Sequence, residues 1–477
     1  MIELDNICFR YEGAEEDALQ DICLTVETER CVVLSGNSGC GKTTITRLVN
    51  GLIPHFYPGT LLGSIKIDGQ DITGWEPHEL SKIAGSVFQN PRTQFFNTDT
   101  DSELVFGMEN CGISYEEMHR RYDRTVEDLQ LQKLCKRDIF ALSGGEKQSI
   151  AFGSIYALSP EIYVLDEPSA NLDRESIGRL RQILLRLKQR GKTILISEHR
   201  LYYLQEVADK VVLIENGRNQ GTYDMEQLTR LPCETLHEMG LRALKDTSLK
   251  TVPAGCPVKV PALEVRGLTV KRKKNTVLHK VSLTAEQGKI VGVTGQNGTG
   301  KTTLARTICG LMQEKCGEVY FDGLLMDIQS RRHCAFLVMQ DPNYQLFSDS
   351  VENELSLTVS GEALEEEKIR TLLTSLNLEA VRTRHPLSLS GGQKQRLCIA
   401  LAALSDAKVL IFDEPTSGLD YRNMRRVAGM LTELAKQGKA IVVISHDNEF
   451  LDMACTRIVS LTKQSMSTLG NSLYPDL

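Results

Sequence analysis

No apolar run in this chain approaches the roughly 20 residues needed to cross a bilayer. The best, Leu397 to Leu404, is far too short, so any membrane role is expected to be peripheral. The opening residues, MIELDNICFRYEG, lack the basic-then-apolar order of a secretory signal and read as the first strand of a cytosolic domain. An excess of positive charge is also missing. The formal net charge is -7, which gives the whole molecule no electrostatic reason to coat nucleic acid. The one compact basic run, Lys271 to Lys274, is too little for such a footprint, so no nucleic-acid partner is expected. The thirteen cysteines form no CxxC pair and have no His-rich neighbourhood, which excludes the common zinc patterns and leaves free thiols in a reducing compartment.

What is present is a repeat. At 477 residues the chain is too long for one ordinary domain, and its halves match. GNSGCGKTT from Gly36 returns as GQNGTGKTT from Gly295, QNPRTQFF from Gln89 as QDPNYQLF from Gln340, and LSGGEKQ from Leu142 as LSGGQKQ from Leu389. Positions 143, 166 and 199 recur 247 residues later as 390, 413 and 446, so one domain length explains all three. The offset at the phosphate loop is 259, because the first copy has a longer connection, GLIPHFYPGTLLG, read as a surface loop. The expected organisation is domain one over 1–225, a linker over 226–261 with the Pro/Gly-bearing TVPAGCPVKVPA, and domain two over 262–477. Each half alternates β-rich apolar runs with amphipathic helical segments, the pattern of an α/β domain with a largely parallel sheet. The ligand site of such a sheet lies beyond the C-terminal ends of its strands.

The motifs fall there. Each glycine-rich loop follows an apolar run and precedes a helix beginning near its lysine, the context a phosphate-binding loop requires. The loop residues Gly36, Asn37, Ser38, Gly39, Cys40, Gly41 and Thr44, and Gly295, Gln296, Asn297, Gly298, Thr299, Gly300 and Thr303, bring backbone N–H groups to a helix N-terminus, where an anion is favoured. Lys42 and Lys301 are expected to reach the β and γ phosphates of ATP, and Thr43 and Thr302 to place a hydroxyl on Mg2+. A thiol at a helix start, as Cys40 is, tends to have a lowered pKa, although a small loop residue of incidental reactivity is the simpler reading. In IYVLDEP and VLIFDEP a buried run ends in two carboxylates: Asp166 and Asp413 are placed to hold magnesium, Glu167 and Glu414 to act as general base. His199 and His446 end further apolar runs and are read as donors to the γ phosphate, holding the attacking water in line. Gln89 and Gln340 offer amides that sense magnesium or the nucleophile.

LSGGEKQ and LSGGQKQR resemble the signature of the ABC ATPase superfamily, and the resemblance covers both halves. It implies two tandem P-loop NTPase domains of the α/β class, each with a helical signature subdomain, paired head to tail. Ser390, Gly391 and Gly392 would then face the nucleotide on Lys42, and Ser143, Gly144 and Gly145 that on Lys301. Pairing within one chain and a domain-swapped dimer both stay open. ANLD and SGLD, ending in Asp173 and Asp420, resemble the family's D-loop. Both Glu and His occur in each copy, so two hydrolytic sites are expected. The family stacks adenine on an upstream aromatic, the role Tyr11 fits; in the second half Arg272 is in register, either stacking by its guanidinium plane or lying in a solvated basic turn.

The Gln-loop segments, with PHFYPG and SEHR, resemble the fused ATPases of energy-coupling factor transporters, bacterial importers of vitamins and metal ions. That implies a peripheral protein at the cytoplasmic face of the membrane, a transmembrane scaffold (T-type) subunit docking beside each Gln loop, and a substrate-capturing (S-type) membrane subunit. Phe95, Phe96, Tyr344 and Phe347, followed by Asp99, Asp101, Glu103, Asp349, Glu352 and Glu354, are either the docking surface or core aromatics beside helix-start carboxylates. A tandem sugar-importer ATPase and a soluble ABC protein acting on ribosomes or DNA are the alternatives.

Overall fold

The computed structural model describes residues 1–170, 172–245, 260–272, 275–358, 364–462 and 466–468. The chain divides into two compact units, Met1–Lys245 and Asp246–Leu477. In the first, the strands Ala84–Val87, Ile162–Asp166, Thr193–Ser197, Cys31–Gly36, Lys210–Glu215 and Arg218–Asp224 lie side by side in that order. All neighbours are parallel except the last pair. The second unit repeats the order with Ala335–Val338, Val409–Asp413, Ala440–Ile444, Ile290–Thr294, Arg457–Leu461 and Met466–Thr468, again antiparallel only at the last pair. The expected tandem α/β architecture therefore holds.

The central strands, such as Cys31–Gly36, Ile162–Asp166 and Val409–Asp413, are buried along their whole length because both faces are covered. Val32 and Leu34 point into a core shared with Phe9, Ile22 and Ile45, while Cys31 and Val33 point into a second core with Ile150, Leu180 and Leu184. The period of two recurs in the second unit, where Ile411 and Leu410 enter different cores. One core lies under a four-stranded antiparallel sheet, made in the first unit by Leu19–Val26, Ile2–Tyr11, Gly59–Ile67 and Gln70–Asp71. The other lies under the helices, including the signature helices Gly144–Leu158 and Gly391–Leu404.

Two segments differ from their sequence reading. The residues from 226 to 245, assigned to a linker, pack on the first unit: Leu228, Leu236, Leu241 and Leu244 are buried in the helix-side core, behind the short helices Met225–Thr229 and Cys233–Glu238. Residues 246–259, the rest of that linker apart from Val260 and Pro261, lie outside the described residues. The connection GLIPHFYPGTLLG is only partly loop, because from Gly59 it is a strand paired with Ile2–Tyr11. Among the described residues no helix is long and apolar enough to cross a membrane.

Candidate functional site

In each unit the loop after the strand that feeds the phosphate-binding helix closes around its own lysine. Lys42 Nζ donates to the carbonyls of Gly36 (3.0 Å) and Asn37 (2.9 Å), and Lys301 Nζ to those of Gly295 (2.8 Å) and Gln296 (3.1 Å). Glycine is obligatory at the entry: Gly36 and Gly295 have φ of 144° and 150°, and a Cβ on either would stand 1.9 Å from the carbonyl oxygen of Ile214 or 2.3 Å from that of Leu461. Gly41 and Gly300, also in the left-handed region, end the loops and open the helices Lys42–Val49 and Lys301–Ile308. Within the loops, Cys40 N donates to the Asn37 carbonyl, and Thr299 donates through both N and Oγ1 to that of Gln296. Ser38, Gly39, Asn297 and Gly298 form the loop tips, with both glycines exposed. Burial raises the Cys40 thiol pKa against the pull of Lys42, so the lowering expected of a helix-start thiol is reversed.

Hydroxyl and carboxylate meet at the helix start. Thr43 Oγ1 lies 3.2 Å from Asp166 Oδ1, and Thr302 Oγ1 lies 2.7 Å from Asp413 Oδ2. Burial, with the negative charge of Glu167 adding to it, pushes Asp166 up to about 6; burial likewise raises Asp413. A buried carboxylate whose charge is disfavoured by burial, set beside a hydroxyl, suits a cation ligand. Magnesium is commonly held by one or two carboxylates together with substrate phosphates, and each unit offers one such carboxylate. Among the described residues no cluster of three or more His, Cys, Asp or Glu could hold a metal unaided.

The second carboxylate sits one residue on, in the left-handed region, with φ of 45° at Glu167 and 53° at Glu414. Glu167 Oε2 accepts from Gln89 Nε2 at 2.6 Å, and its Oε1 lies 3.4 Å from His199 Nε2. Burial acts to raise this carboxylate, but the hydrogen bond and charge of His199, with Lys42 and Gln89, outweigh it and hold Glu167 below its usual range. It is thus ionised at neutral pH, as a proton acceptor must be. In the second unit Glu414 Oε1 lies 3.5 Å from His446 Nε2. Gln340 follows the strand Ala335–Val338 as Gln89 follows Ala84–Val87.

The signature residues open helices of their own. Ser143 and Ser390 cap the helices they open, accepting from Glu146 N (3.4 Å) and Gln393 N (3.3 Å), and both are exposed with Gly144 and Gly391; Gly145 is buried and Gly392 half-buried. Asp173 and Asp420 cap the helices Arg174–Gln189 and Tyr421–Lys436. Tyr11 OH lies 3.0 Å from Thr44 Oγ1 and accepts from Arg47 Nη1 at 3.0 Å. Arg272 is exposed at a hairpin end, opposite Asn275, and Thr303 is half-buried in the helix it helps to open.

Three features were not read from the sequence. Glu103 Oε2 accepts from the backbone amides of Phe96 (3.1 Å) and Asn97 (2.8 Å), and Glu354 Oε2 from those of Phe347 (2.8 Å) and Ser348 (2.7 Å). Both carboxylates are buried, yet Phe96 and Phe347 are 76% and 79% exposed. The acidic residues thus serve their own loops and helix starts, Asp99 as a cap and Glu352 paired with Arg382, whereas the phenylalanines face outward; Phe95 packs on the core. Arg47 is signalled by its repeat at Arg306. Beside His199, Glu198 is buried, accepts from Ser169 and from Tyr203 (3.2 Å), and is pushed up to about 7 by burial and by the charge of Glu167. Its counterpart is Ser445, whose hydroxyl donates to Glu414 at 3.4 Å.

The family described as ABC transporter matches residues 19–170 and 278–417. A Treponema denticola protein, provisionally named an ABC transporter ATP-binding protein, is 47% identical over 97% of this chain and 95% of its own length. A Bacillus subtilis protein, provisionally named the HMP/thiamine import ATP-binding protein YkoD, is 30% identical over 99% of this chain and 91% of its own. Among solved structures, a chain of ribosome-bound archaeal Pelota and ABCE1 superposes with a TM-score of 0.69 at 20% identity, over 97% of this chain and 78% of that one, a likeness of fold alone.

Proposed function

Because the chain belongs to the ABC transporter family and is an ATPase with two copies of its motor domain, we propose that it drives a bacterial importer of the energy-coupling factor type. It works at the cytoplasmic face of the membrane with a transmembrane scaffold and a separate substrate-capturing subunit, and its cargo is a vitamin, a vitamin precursor or a metal ion. The relative named for HMP/thiamine import supports the transport class. The observation that carries the docking part is the repeated pair of outward phenylalanines, Phe96 and Phe347, each with its backbone amide held by a buried glutamate. A large rigid aromatic held in the open at low entropic cost suits an interface anchor.

In this reading Lys42 and Lys301, with the loop amides, grip the β and γ phosphates. Thr43 with Asp166, and Thr302 with Asp413, are the residues that would hold Mg2+, which would supply positive charge against the phosphates. Glu167 and Glu414 accept the proton of the attacking water, whose line of attack Gln89, Gln340, His199 and His446 set. Ser390 to Gly392 close over the nucleotide on Lys42, and Ser143 to Gly145 over that on Lys301, each adding a helix N-terminus as an anion ligand. ATP binding then pulls the halves together and hydrolysis releases them.

The test is purification from native membranes with Phe96→Ala and Phe347→Ala combined. Co-purification of a multispanning scaffold with the unchanged protein is expected, and its loss from the double variant with basal ATPase activity retained. At about 1–2 kcal/mol for each anchor, association weakens at least about tenfold. Recovery of ribosomes in place of a membrane scaffold would overturn the importer reading.

A further inference from the structure

The two halves differ where the phosphate-binding helix returns to the antiparallel sheet. In the first unit this connection, Leu52 to Pro58, carries Tyr57 against the site; in the second, Gly310 to Lys315 contains no aromatic residue. The Arg47 guanidinium lies 3.9 Å over the centre of the Tyr57 ring and donates to Tyr11 OH. The Tyr57 ring meets the Tyr11 ring edge-on at 6.4 Å, and Phe9 meets Tyr11 on another side at 4.8 Å. Tyr11 is thereby held at its hydroxyl and along its ring.

The connection is itself anchored. Tyr57 N donates to the Leu52 carbonyl (3.1 Å), Glu12 N donates to the Pro58 carbonyl (3.0 Å), and His55 Nε2 lies 3.0 Å from the Trp75 carbonyl oxygen. Gly59 pairs with Tyr11 so closely that a Cβ there would stand 2.2 Å from the Arg10 carbonyl oxygen. In the second unit Arg306 repeats Arg47, but the strand that corresponds to Tyr11's ends at exposed Arg272.

We propose that Arg47 and Tyr57 are positioning residues that fix Tyr11 for the base of the nucleotide on the first phosphate loop, so that the first site discriminates by base and the second binds mainly through the triphosphate. This rests on Tyr11 being the base platform. A cation over an aromatic face, with an edge-on ring beside it, restricts the platform before the ligand arrives, and pre-ordering is what lowers the cost of binding.

The test uses the full chain carrying Lys301→Ala, which confines tight binding to the first loop, and compares ATP with inorganic tripolyphosphate by calorimetry. Tyr57→Ala raises the Kd for ATP about fivefold and leaves that for tripolyphosphate within about twofold. Tyr57→Phe, which keeps the ring, behaves as the parent. Tyr11→Ala weakens ATP at least as much, and adding Tyr57→Ala to it costs nothing more. If Tyr11→Ala leaves ATP binding unchanged, the platform assignment fails and this inference with it. If Tyr11→Ala weakens ATP but Tyr57→Ala does not, the positioning role alone is wrong. Equal weakening of both ligands by Tyr57→Ala would mark a folding defect of the connection and overturn the proposal.

Discussion

Replacing Asp166 by asparagine should make the resting protein more stable while ending hydrolysis at the first site. The carboxyl is buried beside Glu167 and titrates near 6, against 3.8 for an ordinary aspartate. At ~1.4 kcal/mol per pKa unit, ionised Asp166 costs folding about 3 kcal/mol at pH 8. The native state binds this proton more tightly than the unfolded chain. The cost is therefore nearly complete above pH 6, shrinks as pH falls through 6, is about half gone by pH 5 and vanishes below about pH 3. Asparagine keeps an acceptor for Thr43 but brings an amide that needs its own partner, a cost of about 1 kcal/mol. The net gain is about 2 kcal/mol at pH 8 and under about 1 at pH 5, or several degrees in Tm falling to one or two. Scanning calorimetry in EDTA without nucleotide reads it. Glu198 titrates in the same sense near 7, but it is present in both proteins, so the difference between them isolates Asp166. Magnesium with ATP should then stabilise the variant less than the parent, because only the site at Asp413 keeps its carboxylate. A variant less stable at pH 8, or an advantage equal at pH 5 and pH 8, would refute the reasoning.

Three further outcomes are expected. Glu167→Gln with Glu414→Gln leaves ATP binding intact and lowers phosphate release by at least about 100-fold; turnover within a few-fold of the parent removes the general-base assignment. Ser143→Arg damages hydrolysis of the nucleotide on Lys301 and spares its initial binding, as single-turnover measurements with one phosphate loop disabled at a time would reveal; damage confined to the nucleotide on Lys42 reverses the head-to-tail arrangement. Leu236→Ala lowers the stability of the first unit by about 2–4 kcal/mol in denaturant titration, because the side chain is buried in that unit's core. A change below about 0.5 kcal/mol would return residues 226–245 to a linker.

The candidate site was legible where chemistry fixes both residue type and spacing. A glycine-rich loop must follow a strand and precede a helix, and a strand buried on both faces must end where its carboxylates begin, as Ile162–Asp166 does. Packing was legible only where it is periodic. Leu228, Leu236, Leu241 and Leu244 lie in a short helical pattern that Pro232 and Gly240 interrupt, so their burial depends on a surface formed by distant residues such as Leu204 and Val207. The neighbours Phe95 and Phe96 show the same limit. One packs inward and the other outward because the chain turns at them, and the turn is held by Glu103, whose charge alone suggested solvent. Charge on its own cannot distinguish a carboxylate that faces water from one that binds two backbone amides.

The left-handed backbone at Glu167 and Glu414 links these observations. Such a conformation costs a residue with a side chain about 1–2 kcal/mol, and glycine would avoid the cost, yet both halves place glutamate there. The strain is held by a backbone hydrogen bond to the adjacent strand, from Glu167 N to the Ser197 carbonyl (2.9 Å) and from Glu414 N to the Ile444 carbonyl (2.8 Å). Those strands lead directly to His199 and His446, so the carboxylate and the imidazole 3.4 or 3.5 Å away share one rigid frame. Free rotation of either side chain would forfeit the alignment that proton transfer from an attacking water needs. The turn, costly as local structure, sets each carboxylate relative to its imidazole.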